Sequence, residues 1–217
     1  MDLVQLPITE FPGYENFIKV KDYLPQLNLT DGPWIAGGSL LRLAKGIPFW
    51  NDIKEEESGY DSDIDIFFRT NEQCLKSISM YKNMRDKGKG KGYETDNAYS
   101  FSFKMEKDRK RFIIQSIKKF FSDDIESLLG TFDFTVAQMV TDLETVVMPS
   151  YVIDDIVNNS LKLSTGKYNS ENFLKRVFKY SANGFNPEPG LLVDLANMDK
   201  KALLNILSIS LENTYEF

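Results

Sequence analysis

Two aspartates one residue apart, Asp63 and Asp65, stand inside the apolar run Asp63-Ile64-Asp65-Ile66-Phe67-Phe68. On a strand, side chains alternate, so both carboxylates share one face while Ile64 and Ile66 enter a core. Two carboxylates so close repel each other, and strand interiors suit aspartate poorly, so a divalent cation explains the pair better than propensity does. Hard oxygen ligands select Mg²⁺ or Mn²⁺, which bind through one or two carboxylates plus substrate phosphates. The plain alternative is a solvated strand edge, and the four apolar residues of the run weigh against it.

Upstream, Trp34, Ile35 and Ala36 read as the end of a buried strand. Gly37-Gly38 break it where the backbone turns sharply or approaches a ligand. Ser39 is placed to cap a helix whose apolar residues, Leu40, Leu41, Leu43 and Ala44, fall at helical spacing, with Gly46 and Pro48 closing it. Such a helix start offers free backbone N–H groups and the positive end of the macrodipole to an anion such as a triphosphate. For the glycines alone, an ordinary strand-turn-helix corner is the simpler reading.

A third aspartate lies in Phe132-Asp133-Phe134-Thr135-Val136-Ala137-Gln138-Met139-Val140. Alternation predicts a strand with Phe132, Phe134 and Val136 on one face and Asp133, Thr135 and Ala137 on the other. An aspartate between two phenylalanines is costly to bury without a cation or a hydrogen-bond network. A structural role, accepting backbone N–H groups at a strand end, is the alternative.

In this order, the GG-S turn opening a helix, the DxD strand and the FDF segment resemble the head domain of the DNA polymerase β-like nucleotidyltransferase superfamily. Within it the chain is most similar to the tRNA nucleotidyltransferase and poly(A) polymerase group, in the short single-head form of phage-encoded relatives. The resemblance implies an α+β fold: a palm of mixed β-sheet flanked by helices over residues 1–165, and a small helical, neck-like extension over 166–217. It implies that Gly37, Gly38, Ser39 and Arg42 bind the nucleotide, and that Asp63, Asp65 and Asp133 carry two Mg²⁺ or Mn²⁺ ions and the catalysis. The helical pattern of Asn169 to Phe185 is similar to the neck helix of these enzymes, which implies that Arg176 and Lys179 face the nucleotide; surface charges on an amphipathic helix are the alternative. The implied reaction moves a nucleoside monophosphate from an NTP to an acceptor hydroxyl at an RNA 3′ end, on a protein or on a small molecule. A catalytically silent binding or structural module is the other class of reading. One departure stands out: tail-adding tRNA enzymes carry an arginine-aspartate pair soon after the glycines, whereas Arg42 lies one residue later and is followed by Leu43.

Composition narrows the chemistry. The 217 residues contain no histidine and one cysteine, Cys74. Serine-histidine triads, histidine metal sites, disulfides within the chain and cysteine zinc cages are thereby excluded, and carboxylates are left as the titrating catalysts near neutral pH. A hydrophobic content of 42% supports a sizeable core, and the net charge of −6 argues against coating duplex nucleic acid. Neither an apolar run of about 18 residues nor a basic-then-apolar leader occurs, so the expected location is a reducing cytoplasm, a host's if the chain is phage-encoded.

Other elements must position these residues. A helix is predicted around Tyr14 to Leu24, then a turn at Asp31-Gly32-Pro33. The acidic run Asn51 to Ser58 reads as a solvated loop or short insertion. Asn71 to Arg85 is a helix ending in the glycine-hinged lysines 87–92, a mobile solvated loop. Tyr99 to Met105 and Arg111 to Lys118 form an antiparallel hairpin, with Gln115 structural. A strand, a turn at Pro149 and a short helix from Tyr151 follow, and Leu191 to Leu211 supplies a helical cap.

Overall fold

The computed structural model describes residues 1–47, 51–52, 63–105, 110–164, 170–191 and 193. The acidic run beyond Asp52 and nearly all of the expected cap after Leu191 lie outside the described residues. The chain divides into two units, the first made of Met1–Phe132 and Ala137–Ser150, the second of Asp133–Val136 and Tyr151–Phe217.

In the first unit, short apolar runs bounded by turn residues become strands of one mixed sheet. In chain order its elements are β1 (Leu3–Pro7), α1 (Tyr14–Ile18), β2 (Trp34–Ala36), α2 (Gly38–Lys45), β3 (Asn51–Asp52), β4 (Asp63–Phe68), α3 (Asn71–Asp86), β5 (Lys91–Glu94), β6 (Ala98–Met105), β7 (Lys110–Phe121), α4 (Ile125–Leu129), β8 (Val140–Thr141) and β9 (Thr145–Pro149). The strand order is β1-β9-β8-β2-β4-β7-β6-β5, with β3 added on β7. Among the described residues of this sheet, the β4–β7 pair alone is parallel; β2 and β4 run antiparallel, with Trp34 opposite Phe67 and Ile35 opposite Ile66. The β6–β7 hairpin matches the sequence reading.

Each face of the sheet has its own cover. Ile64, Ile66, Phe101, Phe103 and Ile114 are buried on one side, where Tyr81 of α3 stacks on Phe101 and the Ser77 and Ser116 hydroxyls hydrogen-bond at 2.9 Å. On the other side Leu128 and Leu129 of α4 pack with Trp34, Ala36, Phe67 and Val140, and Phe132 adds its ring edge to Phe67. Burying side chains of this size contributes roughly 1.5–3 kcal/mol each, so this apolar packing fixes where β4 lies.

Several local expectations change. The helix predicted to run to Leu24 ends at Ile18, and a separate 3₁₀ turn covers Lys21–Tyr23. The segment 87–92 is not loop throughout: β5 begins at Lys91 and pairs with β6. Its glycines permit that approach, because a Cβ at Gly92 would sit 2.1 Å from the Tyr99 hydroxyl. Of Phe132–Val140, only Val140, the first residue of β8, is strand. The segment has an isolated antiparallel bridge from Phe134 to Leu163, then a 3₁₀ turn at Thr135–Ala137, and every residue from Phe134 to Val140 is buried. Alternation misreads a segment covered on all sides.

The second unit contains α5 (Tyr151–Val157), β10 (Ser160–Leu161), α6 (Ser170–Ala182) and β11 (Asn186–Pro187), with β10 and β11 parallel. The short segment 133–136 is held against residues 162–164 by Thr135 N–H to the Lys162 carbonyl (3.1 Å) and Ser164 N–H to the Asp133 carbonyl (2.8 Å). Phe134 stacks on Phe173 of α6 at 5.6 Å and meets Tyr180 edge-on at 5.2 Å.

The exit of β4 is fixed by a reciprocal cap: Thr70 Oγ1 accepts from Gln73 N–H, and Gln73 Oε1 accepts from Thr70 N–H. Thr70→Ala is expected to lower stability by about 1 kcal/mol, read as a shifted urea midpoint at unchanged slope; a midpoint equal to wild type would show that the cap carries no weight.

Candidate functional site

The β2–β4 register sets the geometry. Because the strands are antiparallel, β2 ends at Ala36 beside the start of β4, so the Gly37-Gly38 turn and the two aspartates lie at the same end of the sheet. Asp63 and Asp65 are half-buried on one strand face while Ile64 and Ile66 are 1% and 0% exposed on the other, as the alternation predicts. Phe67 continues the aspartate face but is covered by Phe132 and the α4 cluster.

Gly37 is the N-cap of α2, with φ 85° and ψ −146°, a conformation open essentially to glycine alone. A Cβ there would also press to 3.1 Å of the Phe132 ring, whereas one at Gly38 would meet nothing within 4 Å. Ser39 does not cap the helix through its side chain; it lies inside α2, 1% exposed, and its hydroxyl has no hydrogen-bond partner. A buried orphan hydroxyl is unfavourable by about 1–3 kcal/mol, and a ligand atom at this helix start would satisfy it. Arg42, one turn further on, is half-buried, and burial pushes its guanidinium below the usual arginine range.

Next to β4, Gln115 of β7 stands opposite Asp65 and donates from Nε2 to Asp63 Oδ2 at 2.6 Å. From the sequence alone Gln115 is expected to be structural. No local pattern signals this contact, because it joins positions 52 apart in the chain.

The remaining expected residues belong to the second unit. Asp133 is 21% exposed, and its carboxylate accepts from the Arg176 guanidinium, which is 52% exposed. The ring contacts of Phe134 with Phe173 and Tyr180 explain the pairing, since they set α6 against the segment carrying Asp133. Lys179, also on α6, is exposed. Asp133 and Arg176 thus meet each other, while Asp63 and Asp65 share their strand face with Gln115.

Among the described residues, no group of three or more Asp, Glu, Cys or His side chains is arranged to hold a metal ion. Asp63 and Asp65 nonetheless fit a hard divalent ion by donor type, as a two-carboxylate set of the kind that phosphate oxygens complete. No helix among the described residues is long and apolar enough to cross a membrane.

Residues 14–159 match the family described as Gad2, the Gabija anti-defense 2 family protein. The chain belongs to this family. Among solved structures, a tRNA nucleotidyltransferase complexed with a primer tRNA and an incoming ATP analog aligns with a TM-score of 0.50 at 14% identity, over 82% of this chain and 52% of its own. The CCA-adding enzyme of Bacillus stearothermophilus in complex with CTP gives 0.43 at 13%, over 85% and 42%. The chain therefore spans about half the length of these enzymes or less. The first alignment shows that this Gad2-family chain has a nucleotidyltransferase fold, a large mixed sheet flanked by helices, as the sequence resemblance implies. No match is found among curated proteins.

The two glycines separate by experiment. Gly37→Ala is expected to destabilise by about 1–3 kcal/mol, whereas Gly38→Ala is neutral or stabilising by up to about 1 kcal/mol. Urea unfolding of the two variants side by side checks this, and equal midpoints would remove the special status of Gly37.

Proposed function

We propose that this chain transfers a nucleoside monophosphate from an NTP to an acceptor hydroxyl, with Mg²⁺ or Mn²⁺ as cofactor. The observation that carries the reading is the placing of Asp63 and Asp65 on one strand face beside the Gly37-Gly38 entry to α2. The nucleotidyltransferase fold supports it.

In this reading the α2 N-terminus and the Ser39 hydroxyl hold triphosphate oxygens, as helix starts hold anions generally. Asp63 and Asp65 would hold the divalent ion, which when bound offsets the negative charge of the phosphates. The acceptor oxygen bonds to the α-phosphorus, the bond to the β-phosphate oxygen breaks, pyrophosphate leaves, and the hydroxyl proton passes to a carboxylate. Positioning and charge neutralisation supply most of the rate, which suits a chain without histidine. The role of Asp133 as a third catalytic carboxylate, and of Arg42, Arg176 and Lys179 in nucleotide binding, are part of the proposal. For the acceptor, an RNA 3′ end is proposed because the first solved neighbour is complexed with a primer tRNA. Membership of a Gabija anti-defense family makes a component of that defence the other acceptor we propose.

A second reading, a nucleotidyltransferase fold that holds nucleotide or a defence component without turnover, is favoured by one observation. Asp133 is already neutralised by Arg176 within its own unit.

Incubation with each α-labelled NTP, Mg²⁺ or Mn²⁺ and a total RNA and protein extract separates the two. Wild type is expected to label a discrete band, whose identity gives the acceptor. The Asp63→Ala, Asp65→Ala double variant is expected to fall to background with an unchanged circular dichroism spectrum. Equal labelling by the double variant would end the catalytic reading, and NTP binding without any labelled band would establish the second.

A further inference from the structure

We propose that the sheet face formed by β5 and β6 is a docking surface for single-stranded RNA, the acceptor in the transferase reading on which this inference rests. Strand register carries the argument. Asp65 of β4 stands opposite Gln115 of β7, Gln115 opposite Ser100 of β6, and Ser100 opposite Tyr93 of the edge strand β5. A second row runs through Asp63, Ile113, Ser102 and Lys91. Residues directly opposite one another share a sheet face, so Lys91 and Tyr93 lie on the face of the two aspartates, three strand spacings or about 14 Å away. Lys104, two residues after Ser102, belongs to the same face. Arg111, opposite Lys104, marks that face by donating from Nε to Ser102 Oγ at 3.0 Å.

The glycines of Lys87-Gly88-Lys89-Gly90-Lys91-Gly92 explain why the cations fall there. On the α3 side a Cβ at Gly90 would meet the Phe101 ring at 2.6 Å, and one at Gly92 the Tyr99 hydroxyl at 2.1 Å. Glycine is therefore required at the alternate positions on that side, which leaves Lys91 and Tyr93 on the other. Glu94 also belongs to the α3 side, where Lys118 holds it at 2.8 Å and Lys82 at 3.3 Å. Its charge is met away from Lys91 and Tyr93.

Exposure and chemistry select the occupant. Lys89, Lys91 and Lys104 are exposed, and the Tyr93 side chain is 51% exposed. A chain with a net charge of −6 thus gathers cations around an open aromatic ring at one edge of its sheet. Lysines beside such a ring match phosphates beside an unpaired base, which stacks on the ring. A duplex keeps its bases paired and stacked, and an acidic polypeptide would engage the lysines while leaving the ring idle. An RNA strand held here by inner nucleotides brings its end toward the carboxylates of β4.

The test is fluorescence anisotropy of a short labelled oligouridine with the full chain, across a salt series and with neither NTP nor metal. Wild type is expected to bind this strand more tightly than its duplex, its deoxy counterpart or polyglutamate of equal length. Tyr93→Ala is expected to weaken binding about 5–150-fold, the loss of one stacked base, at unchanged salt slope. Lys91→Gln and Lys104→Gln are each expected to lower the slope of log affinity against log salt by about 0.7. Tyr93→Phe keeps the ring, and Lys76→Gln removes a charge from α3 on the opposite side of the sheet, so both should bind as wild type does. No RNA binding, tighter binding of the duplex, the deoxy strand or polyglutamate, or wild-type affinity and slope in Tyr93→Ala and both lysine variants would each overturn the inference. Should Tyr93→Ala unfold, Tyr93→Phe and the lysine variants still decide. RNA that binds here while no acceptor is ever labelled ends the transferase reading and leaves the surface standing; label transfer to RNA whose binding ignores all three variants does the reverse.

Discussion

A carboxylate set on an apolar strand must find a compensating charge or donor, because removing it from water is costly and its neighbours supply nothing polar. This constraint organises the molecule. Asp63 and Asp65 cannot leave β4, since Ile64 and Ile66, between and behind them, are held in the core. Compensation must therefore come to them, and Gln115 of β7 supplies part of it as an N–H donor at 2.6 Å. Asp133 meets the same demand differently, through the guanidinium of Arg176. Both partners of that pair are partly exposed, so the bridge contributes no more than about 1 kcal/mol and yields to a competing anion or cation. The contact from Gln115 is more sheltered and accordingly harder to displace.

Strand length and direction do the positioning. β2 has three residues and β4 six, and their antiparallel register brings the end of one beside the start of the other. The glycine turn and the aspartate pair therefore come together without any long connection having to hold them. Parallel pairing of β7 with β4 adds the amide, while α4 and Phe132 close the far half of the same face. The carboxylates themselves are half-buried. The glycine turn is also fixed from outside: Gly37 N–H donates to the Met139 carbonyl at 3.3 Å, and the Phe132 ring lies where a side chain would be.

Features carried by a local repeat were legible in the sequence. Alternation placed Asp63 and Asp65 on one face, helical spacing gave α2 and α3, and the hairpin of β6 and β7 followed from two apolar runs around a charged turn. Features set by cover from elsewhere were not. Phe132–Val140 imitates a strand because its large residues alternate at first, but its surroundings bury seven residues in succession, and a 3₁₀ turn serves there instead. Ser39 has the residue type of a cap, yet the chain enters the helix through Gly37, leaving the serine hydroxyl inside. Gln115 lay beyond reach for a different reason: its meaning depends on which strand β7 joins and in which direction.

The likeness to a tRNA nucleotidyltransferase at 14% identity fixes the backbone and says little about turnover. Charge accounting says more. A fold kept only to hold a partner has no structural use for two carboxylates on one strand face, since either one replaced by serine or asparagine would relieve the repulsion at no loss of packing. At residue 115 the chain places a neutral donor, which steadies one carboxylate. A carboxylate steadied by a neutral donor is suited to a cation that comes and goes with a substrate, and this is the physical ground of the transferase proposal.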